Sequence, residues 1–163
     1  MRNNKLISYF DREASRRDEW KRRNWYYHET LQRLFHFCIP GGEAVLELGS
    51  GTGDLLASLR PSRGVGVDIS PGMVVVAKKK YPQLEWRVGD AAELSLGEKF
   101  DYVVTSDLVG YLDDIERFFT ELSRVSYERT RVIVTSYNYF WEPILRLAEF
   151  LRLKSRQPLQ NWL

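Results

Sequence analysis

After residue 40 the apolar positions of this chain fall into two alternating periods. Ala44-Val-Leu-Glu-Leu48 is a short, nearly continuous apolar run bounded by glycines, the signature of a parallel strand buried on both faces. Similar runs recur at Gly64–Asp68, Leu84–Val88, Phe100–Thr105 and Thr130–Ser136. The intervals carry helix signals. Asp54 to Leu59 begins a helix that must end before Pro61. Ser70-Pro71 supplies an N-cap and a first-turn proline for a helix ending near Lys78-Lys-Lys80, where cations complement the helix dipole. Ile115, Phe118, Phe119, Leu122 and Val125 keep the spacing of an amphipathic helix, with Asp113 or Asp114 as its cap. Residues 9–38 lack Pro and Gly and read as mostly helical until Pro40-Gly41-Gly42; Trp141 to Leu153 reads as a final helix.

Strands alternating with helices predict an α/β fold with a doubly wound, mostly parallel sheet. The expected organisation is a single domain, with residues 1–40 as a helical cap on a core spanning 41–163. Composition adds little: 44% hydrophobic and 28% charged residues make an ordinary globular mixture. The net charge of +2 singles out no partner. The basic cluster Arg16-Arg17 and Lys21-Arg22-Arg23 could attract an anion, but a solvated helix face is the simpler reading. Cys38 stands alone in an apolar run, which excludes an intrachain disulfide and a thiolate metal site. With no signal-peptide core and no apolar stretch of membrane-spanning length, the expected location is cytoplasmic.

The first strand ends in a loop, Glu47-x-Gly49-Ser50-Gly51-x-Gly53-Asp54. Glycines here let the backbone turn tightly and approach a ligand. Dinucleotide enzymes also use a glycine loop, spaced Gly-x-Gly-x-x-Gly to aim a helix at a pyrophosphate. Here the glycines alternate, and carboxylates flank them at Glu47 and Asp54. Acidic groups repel a pyrophosphate and suit S-adenosylmethionine, which carries a sulfonium and an ammonium and no phosphate. Asp68 lies 21 residues after Glu47, at the end of the second strand, where it can accept both hydrogen bonds of a ribose diol. Ile69 and Met73 offer an apolar face for adenine, and Asp90 an acceptor for its amino group; core packing and a turn are the plainer roles of Met73 and Asp90.

In order, the glycine loop, Val67-Asp-Ile-Ser-Pro-Gly-Met73, Gly89-Asp90-Ala91 and Phe100-Asp-Tyr-Val-Val-Thr-Ser-Asp107 resemble the successive motifs of class I S-adenosylmethionine-dependent methyltransferases over about residues 40–136. The resemblance implies a Rossmann-like sheet. It also implies that Glu47, Gly49 and Gly51 line the methionine end of the cofactor, Asp68 holds the ribose, Asp90 and Ala91 meet the adenine, and Ser106 stands beside the sulfonium. The product would be S-adenosylhomocysteine. That family's sheet normally has seven strands, and only five are readable here, so the chain resembles the methyltransferase region of a longer bacterial protein. A fifth strand left as an apolar edge could pair two copies into a homodimer.

The acceptor side is less defined. Methyl transfer from a sulfonium is a direct displacement that depends mainly on alignment. Tyr26, Tyr27 and His28 offer a base and rings for a cationic centre, although helix packing explains them more simply. Asp107 and Tyr111 follow the fourth strand, where acceptors bind in this family. Helix capping accounts for Asp113-Asp114 better than a metal does, and no catalytic residue is assigned. The sequence Ser106-Asp-Leu-Val-Gly110 lacks the Asn/Asp-Pro-Pro-aromatic motif of enzymes methylating nucleic acid bases. The expectation is therefore transfer to a small-molecule or saccharide-like acceptor. The competing functions are cofactor binding without transfer and, less favoured, NAD-dependent oxidoreduction.

Overall fold

The computed structural model describes residues 2–136, 140 and 142–151. Three helices, α1 (Arg2–Ala14), α2 (Arg17–Arg23) and α3 (Trp25–Cys38), precede the alternating region. There follow β1 (Ala44–Leu48), α4 (Asp54–Ser58), β2 (Arg63–Asp68), α5 (Pro71–Lys80), β3 (Glu85–Val88) and β4 (Phe100–Ser106). A short 3-10 turn at Val109–Tyr111 leads to α6 (Ile115–Arg124), β5 (Ser126–Thr135) and α7 (Glu142–Phe150).

The five strands pair in parallel in the order β3-β2-β1-β4-β5. The order reverses between β1 and β4, and in open α/β sheets that reversal opens a crevice beyond the strands' carboxyl ends. Alternation along β1 divides the core. Val45 faces the layer built by Phe35, Leu56, Val74 and Trp86 of α3, α4, α5 and β3. Leu46 and Leu48 face the opposite layer, with Phe100, Phe118 and Leu122. Helices on both faces make the sheet doubly wound, as the alternation of elements predicts.

Local chemistry sets the helix starts. Ser70 Oγ accepts from Met73 N at 3.1 Å, and Asp114, rather than Asp113, caps α6 by accepting from Arg117 N at 2.8 Å. Two boundaries depart from the sequence reading. The N-terminal helical stretch breaks at Ser15-Arg16 and again at Asn24, where neither Pro nor Gly marks a break. Strand β5 begins at Ser126, four residues before its apolar run, because Phe100 pairs with Ser126 ahead of a register shift. It forms one edge of the sheet and leaves Val132 and Val134 exposed. Trp141 and residues 152–153, the ends of the last expected helix, lie outside the described residues.

Candidate active site

At the carboxyl ends of β1, β2 and β4 lies a cavity of about 480 Å³, within the roughly 300–1,000 Å³ of small-molecule sites. It takes in Glu47, Gly49, Ser50, Gly51 and Asp54 from the first loop. Asp68, Ile69 and Met73 come from the second, Asp90 and Ala91 from the third, and Ser106 from β4. Of the cofactor residues expected from the sequence, only Gly53 is absent from the lining.

The glycines divide their work. Gly53 adopts φ +83°, and a Cβ there would lie 2.4 Å from Cη2 of Trp86. Its role is therefore to admit the indole beneath the loop. A Cβ on Gly66 in β2 would meet the same ring at 2.3 Å. Gly51, at φ +53°, has nothing within 4 Å of a built Cβ, so its backbone alone faces open cavity. That open approach is what a ligand pressed against the loop requires.

Asp68 is buried, and its two oxygens accept from Gly51 N at 2.7 Å and Ser70 N at 2.9 Å. Each oxygen keeps a second lone pair for a diol. Burial raises its carboxyl above the ordinary range, against the two N–H groups and Arg17. Glu47 is 3% exposed, and its Oε2 accepts from Leu56 N at 3.1 Å. Burial pushes its carboxyl up to about 8, opposed by Lys21 and the Leu56 N–H. Asp90 uses Oδ1 to accept from Ala92 N, and so also serves as the turn residue its sequence allows.

Asp54 has a different role from its neighbours. Its carboxylate accepts from Lys21 Nζ, Thr52 Oγ1, Lys80 Nζ and Tyr81 Oη, while Asp18 accepts from Lys80. Burial alone would raise the Asp54 carboxyl, but Lys21, Lys80 and Tyr81 hold it well below the usual carboxylate range. This network ties α2 to the starts and ends of the core helices.

The covering helices also bring residues that sequence reading passed over. Arg17, Trp20, Lys21 and Asn24 line the cavity at i, i+3, i+4 and i+7, a helical spacing hidden inside a cluster read as solvated. Arg16, Arg22 and Arg23 do face solvent. In α3, Tyr26 is 71% exposed and off the cavity, whereas Tyr27 and His28 line it. Tyr27 Oη donates to Asp107 Oδ2, and Asp107 holds a left-handed φ of +56° at the end of β4. Burial, with Lys21 and Arg17 nearby, lowers His28 to about 4. It is therefore neutral at pH 7 and a weaker base than an ordinary histidine. Among the described residues no group of side chains could hold a metal, and no helix is long and apolar enough to cross a membrane.

A parallel, doubly wound sheet with a crevice at the reversal of its strand order defines a Rossmann-like fold. The family model described as "Methyltransferase domain" matches residues 45–128, and the chain belongs to that family, the class I S-adenosylmethionine-dependent methyltransferases. The chain is similar to a demethylmenaquinone methyltransferase from Chlorobaculum parvum, 34% identical over 85 residues, which are 50% of this chain and 35% of that protein. It is 29% identical over 181 residues to the magnesium-protoporphyrin O-methyltransferase of Rhodobacter capsulatus, covering 96% of this chain and 80% of the relative. The first of these relatives thus extends well beyond the matched region. A Thermotoga maritima S-adenosylmethionine-dependent methyltransferase structure shares the fold, with a TM-score of 0.76 at 20% identity over 94% of this chain and 73% of that one.

Proposed function

We propose that the chain transfers the methyl group of S-adenosylmethionine to a small organic acceptor, with Asp68 on the ribose, Ile69, Met73, Asp90 and Ala91 around the adenine, and Glu47, Gly49, Ser50, Gly51 and Ser106 along the methionine end. One observation carries this reading: residues from four successive sequence motifs line a single cavity at the reversal of strand order. The open backbone at Gly51 and the buried carboxylates of Glu47 and Asp68 fit a cofactor that is cationic and free of phosphate.

The bound cofactor supplies an electrophilic methyl on sulfonium, whose S–CH3 bonding pair stays with sulfur as the acceptor's lone pair forms the new bond. The chain's own residues then do three things. Asp68 and Asp90 fix the nucleoside, which sets where the methyl points. The buried walls exclude water from the sulfonium. Tyr27, Asp107 and Tyr111, on the opposite side of the cavity from the second loop's Asp68, hold the acceptor, with the Tyr27–Asp107 hydrogen bond setting the orientation of both groups. His28 is neutral at pH 7, held so by burial and by the nearby Lys21 and Arg17. The relatives include methyltransferases named for demethylmenaquinone and for magnesium-protoporphyrin, both organic small molecules. The separation of α1–α3, as a cover, from the core beyond residue 41 belongs to the same reading.

Calorimetric titration with S-adenosylhomocysteine and with NAD tests the cofactor. Binding of S-adenosylhomocysteine alone is expected; binding of NAD alone would sink the proposal. Transfer of a labelled methyl to a panel of phenolic, carboxylate and amine acceptors separates an enzyme from a domain that only binds.

A further inference from the structure

Helix α3 is apolar on two sides. Its inner side closes the cavity with Tyr27 and Leu31 and joins the core through Phe35. Its outer side carries a second set, Tyr26, Leu34 and Phe37, whose spacing of i, i+8 and i+11 returns to one face of a helix. Trp25 stands beside Tyr26 at the first turn, the two rings edge to face at 5.9 Å. All four side chains are exposed, Phe37 at 90% and Trp25 at 62%. A helix that is apolar all round is ordinarily enclosed on every side. Large apolar groups gathered on an open face mark a contact surface.

The surrounding charge says what that surface meets. The outward charges from the start of α2 to the end of α3 are Arg16, Arg22, Arg23 and Arg33 against Glu19 and Glu29, so the face is cationic. Arg23 and Arg33 pair with the two glutamates at 3.0 and 2.6 Å. Arg16 and Arg22 pair with no carboxylate among the described residues. Aromatic rings mixed with arginines suit the headgroup boundary of a bilayer: Trp and Tyr rest at that depth, Phe and Leu reach the acyl chains, and guanidinium groups meet lipid phosphates. A single helix also offers a narrow stripe, unlike the broad surface of about 800 Å² per partner that a stable protein complex buries.

We propose that the outer face of α3, with the arginines of α2 beside it, docks the protein on an anionic membrane surface. The inner side of the same helix lines the cavity, so docking would bring the cover of the site against the bilayer. The inference does not depend on which cofactor the cavity holds.

The full chain and its F37S, W25S and R22Q variants are floated with vesicles of phosphatidylcholine alone and of phosphatidylcholine mixed with phosphatidylglycerol, at low and high salt. Circular dichroism confirms that each variant is folded; all three side chains lie outside the core. Wild type is expected to float with the anionic vesicles at low salt, and at least about fivefold less with neutral vesicles or at high salt. F37S and W25S should each weaken binding to anionic vesicles about tenfold, and R22Q about fivefold. No flotation of wild type, or flotation unchanged in both F37S and W25S, overturns the proposal. Equal binding to neutral and anionic vesicles overturns the anionic surface as the partner. A concentration-dependent dimer in light scattering without lipid, abolished by F37S, would make this face an interface between two copies and overturn it as well.

Discussion

Beneath the cavity, the glycine loop is braced by packing and backbone. The Trp86 ring fills the space under Gly53 and Gly66, and Gly51 N and Ser70 N converge on one buried carboxylate. Above it, α1 and α3 add polar ties to apolar anchors at Leu6, Ala14 and Phe35, and α2 buries none of its residues. Asp11 accepts from Ser70 Oγ and Gly72 N, Lys21 and Asp18 join the Asp54 network, and Tyr27 reaches Asp107. Apolar packing is insensitive to salt, whereas partly exposed ion pairs are weak and screened. The two sides of one site therefore answer to different conditions. A rigid floor can fix a nucleoside while a cover held by charge can open to admit it.

The sharpest way to break this contrast is to overfill the floor. G66V places a branched side chain where even a Cβ would sit 2.3 Å from the Trp86 ring. It should cost about 3 kcal/mol of stability in urea denaturation, the upper range for overpacking. A loss below about 1 kcal/mol would mean the loop is not braced by packing. D68A comes next. Two N–H groups, one of them buried, lose their acceptor, for about 2 kcal/mol, and S-adenosylhomocysteine binding should disappear from calorimetry; retained affinity would remove Asp68 from the site.

Glu47 gives the pH test. Its folded carboxyl at about 8 stands above the ordinary 4.5, so between those values the folded protein holds a proton that the unfolded chain releases. Unliganded stability from this group is therefore complete below 4.5 and falls as pH rises through about 8. A ligand ammonium needs the carboxylate, so S-adenosylhomocysteine affinity should move the other way. It should rise about tenfold between pH 6.5 and 8.5, and E47Q should flatten the profile. An unchanged slope in E47Q would clear Glu47 of this role. The smallest effect concerns the cover: raising salt from 50 mM to 0.5 M should speed tryptic cleavage near Arg22-Arg23 severalfold. The thermal midpoint should move by less than about 2 °C. A proportional fall in both would show that cover and floor unfold together.

Where one residue's chemistry decides a local structure, the sequence was legible. Ser70 and Asp114 cap helices from three residues away, and the alternation of Val45 with Leu46 and Leu48 assigns the faces of β1. Most of the cavity-lining residues could be named because they stand at or just beyond strand ends, which are what the topology gathers. The contacts that build the cover could not. Tyr27 and Asp107 are 80 residues apart, and Lys21 and Asp54 are 33 apart. No period in the chain announces such pairs. The packing of Gly53 was not legible for the same reason: a glycine beside a ligand and a glycine above an indole read alike until Trp86 is in position.

The wedge of Trp86 also constrains how this chain can change over generations. Positions 53, 66 and 86 are sterically one unit. While the indole is present, neither glycine can gain a side chain without a clash, and if it were first lost to a smaller residue, the glycine at 66 would become replaceable. The order of substitution is then fixed, tryptophan before glycine, so the history of the loop would be written first on the neighbouring strand β3.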